Sequence, residues 1–182
     1  MKLRSIVLSV LMATSFSAMA GDFTLTSTDI AQGKTLSSDH VYQGFGCSGG
    51  NLSPQLSWNN APEGTKAFAV FAYDPDAPTG SGWWHWQIVN IPSDVNTLPK
   101  GIGTSDNQHV LGATQYSNDY GEIGFGGACP PKGHGPHRYQ FTVHALSKVL
   151  DLPENPTSAI VGYMVNGHTI DTASIEAIYE AK

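Results

Sequence analysis

Gly, Pro, Asn and Asp break the chain at short intervals from about residue 21 onward. This is the spacing of an all-β protein with short strands rather than of a helical one, because these residues supply turns and interrupt helices. The runs between the breaks fit that reading. Phe23 to Ser27 alternates apolar and polar residues, and Ala67 to Tyr73 is a continuous apolar run suited to a strand buried on both faces. Trp84 to Asn90 is rich in aromatic and β-branched residues. Tyr139 to Leu146 puts Tyr139, Phe141, Val143 and Ala145 on one face and Gln140, Thr142 and His144 on the other. Strands of this kind imply a sandwich of antiparallel sheets. Near the end the period changes: Pro156 and Thr157 can start a helix, Ile160, Tyr163 and Met164 share a side of it, and Gly167 can stop it. Ser174 to Glu180 fits either a helix or an edge strand.

Residues 1–20 read as a cleaved export signal. Lys2 and Arg4 form a basic start, Ile6 to Phe16 is an apolar run of the right length, and Ala18-Met19-Ala20 places small residues where a signal peptidase reads them. The run is too short and too interrupted by Ser and Thr for a membrane span. The expected mature chain is a single domain, residues 21–182, bound for the periplasm or released beyond it. Lys2 and Arg4 are two of the nine basic residues, so the remainder keeps seven against fifteen acidic ones, a formal charge near −8. Such a surface repels nucleic-acid backbones and anionic lipid, which disfavours both as partners. Any anion must therefore meet a local site, and Arg138 is the one arginine left after the leader.

The chain has two cysteines, Cys47 and Cys129. In an exported protein an even pair favours a disulfide.

Residues suited to chemistry gather in three places. Asp74-Pro75-Asp76-Ala77-Pro78 follows the apolar run directly, which sets two carboxylates at a strand exit in a backbone stiffened by proline. Trp83-Trp84-His85-Trp86 holds a histidine among indole rings. Gly124 to Tyr139 is a Gly- and Pro-rich loop ending in His137-Arg138-Tyr139, whose glycines would let backbone N–H groups approach a ligand. Alternation along a strand would turn His137 and Tyr139 to one side and Arg138 to the other. Taken singly, these are also what an ordinary Asx turn, a core histidine and a surface loop look like.

Taken together they resemble the phosphatidylethanolamine-binding family. The Asp-Pro-Asp-Ala-Pro turn, the Trp-His strand leading to Asn90-Ile91-Pro92, and Pro130-Pro131-Lys132-Gly133 followed by His137-Arg138-Tyr139 stand in that family's order. Asn51-Leu52-Ser53-Pro54 and Thr79-Gly80-Ser81-Gly82-Trp83-Trp84-His85-Trp86 are similar to its bacterial, Raf-kinase-inhibitor-like branch. The resemblance implies a Greek-key β-sandwich with a few short helices, and a small pocket at one end that accepts phosphate-type anions or phospho-headgroups. Carried over, the ligand-binding residues are Asp74, His85, Gly127, Pro130, Pro131, His137 and Tyr139, with Asp76 and Arg138 supporting them. It also implies a homodimer. Cys129 departs from the family's usual loop, and a bond to Cys47 would staple the pocket wall to the Gly44-to-Gly50 segment.

An ionised Asp74 should repel an anion, a conflict removed if the ligand is a monoprotonated phosphate that donates its proton to Asp74 while histidines, Tyr139 and loop amides hold its other oxygens. The function expected is thus that of a binding or regulatory protein acting on an envelope or extracellular partner, without cofactor, metal or catalytic residue. No Gly-x-Ser-x-Gly or His-Glu-x-x-His motif is present, and His134-x-x-His137 is too short to define a zinc site. The alternatives are an acid–base or metal-assisted hydrolase using the same pocket, and a carrier of lipid headgroups.

Overall fold

The computed structural model describes residues 21–104 and 107–182. The expected leader, 1–20, lies outside them. In chain order the strands are β1 (Thr24–Thr26), β2 (Gln43–Gly44), β3 (Cys47–Ser48), β4 (Leu56–Asn59), β5 (Ala67–Asp74), β6 (Trp83–Pro92), β7 (Thr97–Leu98), β8 (His109–Val110), β9 (Ala113–Gln115), β10 (His137–Leu146) and β11 (Thr169–Tyr179). One α-helix, α1 (Ser158–Asn166), separates the last two.

A three-stranded sheet, β1-β4-β7, faces a six-stranded sheet, β11-β10-β5-β6-β9-β8, and every named pair is antiparallel. The chain crosses between the sheets from β4 to β5 and from β6 to β7, and β10 returns to lie beside β5, a Greek-key sandwich. Between the sheets sits the main core, where Leu25, Leu56, Trp58 and Leu98 meet Phe68, Val70, Phe141, Val143 and Ile175. On the outer face α1 covers Ala67, Ala69, Phe71 and Val89 with Val161 and Val165. Both faces of β5 are therefore covered, which is why its sequence is an unbroken apolar run instead of an alternating one.

The helix starts as its sequence indicates, with the Thr157 hydroxyl accepting from the Ile160 amide and Gly167 closing the last turn. Its buried face is not the side that Ile160, Tyr163 and Met164 share. Val161, Gly162 and Val165 face the sheet, whereas Tyr163 and Ile160 are exposed and Met164 only packs against the margin. Apolar residues ring this helix, and the short side chains of Ala67 and Ala69 favour the valines at i and i+4. The ambiguous C-terminal stretch is the edge strand β11, paired with β10 along nearly its whole length.

Two devices position the functional end. Tyr73 pairs with Trp84 and Ala72 with Trp86, so His85 sits in a β-bulge, and it and Trp86 are both buried although adjacent in sequence. Cys47 and Cys129 are bonded, with Cα atoms 5.9 Å apart, tying the small β2–β3 hairpin to the loop ahead of β10.

Candidate functional site

The end of β5, the start of β6 and the start of β10 meet at one pole of the sandwich around a cavity of about 270 Å³. Its lining includes Asp74, His85, Pro130, Pro131, His137 and Tyr139, all expected there. The structure adds Phe45, Trp83 and Tyr120, together with Ala77, Pro78 and Thr79 of the turn after β5 and Cys129 of the crosslink. Polar groups thus form the floor and apolar rings the walls.

Asp74 plays its turn role and its site role at once. Its Oδ1 accepts the Asp76 amide at 2.8 Å, an Asx turn, and its Oδ2 accepts from His137 Nδ1 at 2.7 Å. Asp74 is 2% exposed and His137 1%, so the contact is a buried one. His137 Nε2 lies 2.7 Å from Nδ1 of the exposed His134, and one of those two nitrogens carries the shared proton. Both oxygens of Asp74 and both ring nitrogens of His137 therefore have protein partners. A ligand proton delivered to Asp74, the arrangement expected from the sequence, would compete with bonds already made.

His85 is different. Its Nδ1–H donates to the Gly126 carbonyl at 2.7 Å, and its Nε2 has no hydrogen-bond partner among the described residues. Burial is the largest influence on this ring and holds its pKa below the ordinary histidine value, against the pull of the Gly126 carbonyl and of Asp74. The Tyr139 hydroxyl and the Trp83 Nε1–H are buried without a partner among the described residues. Burial also raises the pKa of Tyr139 and of Tyr120, so both phenols stay protonated. Tyr120 donates its hydroxyl to the Gly127 carbonyl at 3.0 Å.

Gly127 is the expected ligand residue that does not line the cavity. Its N–H donates to Asn51 Oδ1 at 2.7 Å, and a Cβ there would come within 2.6 Å of the His40 carbonyl and the Tyr42 amide. The residue is glycine for close packing against the segment before β2. The amides of Gly124, Phe125, Gly126 and Ala128 are likewise spent, on Tyr116, Gly103, His85 and His40 carbonyls. Backbone N–H groups from Gly124 to Ala128 are thus not free for a ligand.

Asp76 and Arg138 stand outside the cavity lining as a pair. Arg138 meets both carboxylate oxygens, Nε to Oδ2 at 2.9 Å and Nη2 to Oδ1 at 2.8 Å, and its own amide also donates to Oδ2. The guanidinium holds the Asp76 carboxyl at about 2. The pair braces the turn after β5 against the first residues of β10, a supporting role. Among the described residues no cluster of three or more His, Cys, Asp or Glu side chains is placed to hold a metal ion. No helix there is long and apolar enough to cross a membrane.

The model of the family described as Phosphatidylethanolamine-binding protein matches residues 26–180. The chain belongs to this family. Within it, UPF0098 protein YbcL of Escherichia coli K12 is 54% identical over 179 residues, 97% of this chain and 98% of that protein. The crystal structure of E. coli YbcL superposes with a TM-score of 0.85, covering 89% of this chain and 100% of the other. A phosphatidylethanolamine-binding protein homologue from Chlamydia trachomatis gives a TM-score of 0.73 at 30% identity, over 88% of this chain and 98% of that one. Membership explains why the turn after β5, the Trp-His strand and the His-Arg-Tyr strand converge. The residues that sequence reasoning missed are aromatic. Trp83 stood inside a quoted motif, His134 stood in the short His134-x-x-His137 spacing, and Phe45 carried a signal in being a bulky residue between Gly44 and Gly46; Tyr120 carried none.

Proposed function

We propose that this family member is an exported binding or regulatory protein whose cavity takes a phosphate-type group bearing one proton, on an inorganic ion or a phospho-headgroup, and that occupancy modulates an envelope or extracellular protein. The observation that carries this reading is the trio left unpartnered among the described residues: His85 Nε2 as an acceptor, with the Tyr139 hydroxyl and Trp83 Nε1–H as donors. A ligand that satisfies them offers one O–H and at least two acceptor oxygens, which is the pattern of a monoprotonated phosphate or phosphomonoester. Bonding the Tyr139 hydroxyl and the Trp83 Nε1–H recovers the cost of leaving those two buried and unpaired. The disulfide supports an oxidising compartment. A binding role is favoured over hydrolysis because, among the described residues, the Asp74–His137 pair is hydrogen-bonded onward to a second imidazole, His134, and to no Ser or Thr hydroxyl or Cys thiol.

Titration calorimetry with inorganic phosphate and with phosphoethanolamine tests this. Both should bind the unmutated protein, and His85→Ala should lose most of the heat. Absence of binding at millimolar concentration overturns the reading.

A further inference from the structure

A second depression, of about 450 Å³, adjoins the cavity and is lined by Gly46, Cys47, Lys132 and Ala181 together with residues the two share. Phe45, Cys129, Pro130 and Pro131 line both, so they form the wall between them. Two of these are proline rings and one is crosslinked. Phe45 alone reaches the wall from the tip of the β2–β3 hairpin.

Phe45 is an unusual residue for that tip. It is 77% exposed, and its backbone is left-handed, with φ at 53°. That conformation is unfavourable for a bulky residue relative to glycine. Little burial offsets the cost, and Gly46 beside it shows that the turn accepts glycine. A hairpin with strands of two residues is also marginal by itself. Three anchors hold this one: the Cys47–Cys129 bond, the Tyr42 amide on the Ala128 carbonyl, and Tyr42 stacked on Tyr120 at 3.9 Å. Phe45 leans on those two rings, its centroid 6.1 Å from Tyr42 and 5.5 Å from Tyr120. An exposed aromatic held at such cost and so well braced has a use in its position.

We propose that Phe45, held by the Cys47–Cys129 crosslink, is the specificity-determining partition of the pocket, confining ligands to compact phosphate-type groups and excluding those with a large organic substituent. This rests on the phosphate reading above. Size is the physical reason. A cavity of about 270 Å³ falls just below the roughly 300–1,000 Å³ typical of sites for larger organic ligands, and the adjoining depression supplies the missing room once the wall opens. The depression offers apolar proline and disulfide surface for an aryl group, with Lys132 at its edge.

Calorimetry with inorganic phosphate and with naphthyl phosphate, on the unmutated protein, Phe45→Ala and Cys47→Ser/Cys129→Ser, tests the partition. The ratio of naphthyl phosphate affinity to phosphate affinity should rise about tenfold in both variants, the worth of about 1.4 kcal/mol of new aromatic contact. Phosphate binding with an unchanged ratio in Phe45→Ala overturns the partition and leaves the phosphate reading intact. A rise in Phe45→Ala alone upholds the partition and removes the crosslink's part in it. Failure of both probes on all three proteins overturns the partition together with the phosphate reading.

Discussion

His137 donates its Nδ1–H to Asp74 Oδ2 across 2.7 Å in a contact almost closed to solvent, joining the last residue of β5 to the first of β10. The two strands are neighbours, yet their ladder runs only from Gln140 opposite Tyr73 inward, so this side-chain bond extends the pairing to the pole of the sandwich. Removing one partner strands the other. Asp74→Ala should destabilise the protein by about 3 kcal/mol or more, since it leaves a buried imidazole without its acceptor and breaks the Asx turn as well. Urea unfolding measures it. A loss below about 1 kcal/mol would show that water or His134 replaces the carboxylate.

The crosslink closes a loop spanning a sequence separation of 82 residues. Chain-entropy arithmetic for a loop of that size gives about 4–5 kcal/mol, an upper figure where the denatured chain keeps some structure. Reduction under native conditions should therefore lower the urea midpoint clearly. Periplasmic material should also begin at Gly21 and show no free thiol after unfolding without reductant. Two reactive thiols in intact-mass labelling of such material would refute the crosslink, and a mass that retains residues 1–20 would refute the export assignment.

Acid should weaken the fold through its buried histidines. Burial against Phe71 holds His144 at about 4, below the usual 6.5. As pH falls from 6.5 toward 4, the unfolded chain takes up a proton there that the folded chain refuses, so stability present above 6.5 is lost across this window. His85, also depressed by burial, acts in the same direction. The His144 contribution reaches about 3 kcal/mol at most. Asp76 adds its own loss only in stronger acid, as the pH drops below the ordinary carboxylate value of 3.8 toward about 2. His144→Asn should flatten the stability profile between pH 6.5 and 4; an unaltered slope would assign the acid sensitivity elsewhere.

Local patterns carried much of this molecule into its sequence. The apolar run of β5, the alternation of β10 and the Thr157 and Gly167 caps each depend on residues a few positions apart, and each holds in the structure. The convergence of Asp74, His85, His137 and Tyr139 was legible through family motifs, since each sits at a strand end fixed by such patterns. What failed depends on chain segments far apart. Gly127 has the composition of a ligand loop, but its lack of a side chain serves the backbone of His40 to Tyr42. Tyr120 becomes a pocket wall only because Tyr42 stacks on it, and Phe45 only because Cys47 finds Cys129. The face of α1 was misread because apolar residues surround that helix, and the sheet beneath it decides which ones are buried.

Which anions the cavity accepts depends on pH through His85. His85 Nε2 is an acceptor while the ring is neutral, because Nδ1–H is committed to the Gly126 carbonyl. Burial lowers the pKa of the ring and so favours its neutral form, with the Gly126 carbonyl and Asp74 opposing that shift. A monoprotonated phosphate can donate to Nε2 while Tyr139 and Trp83 donate to its other oxygens. Sulfate has no proton to give, and two lone pairs would then face each other at hydrogen-bond distance. Near neutral pH phosphate should therefore bind more tightly than sulfate. Lowering the pH through the His85 pKa turns Nε2 into a donor, so sulfate affinity should rise and the preference should shrink in acid. His85→Phe should erase both the preference and its pH dependence, since no acceptor remains to read the proton. Calorimetric titrations of both anions at neutral pH and stepwise into acid, on both proteins, decide it: equal affinities at neutral pH in the unmutated protein would exclude His85 as the group that reads the ligand's proton.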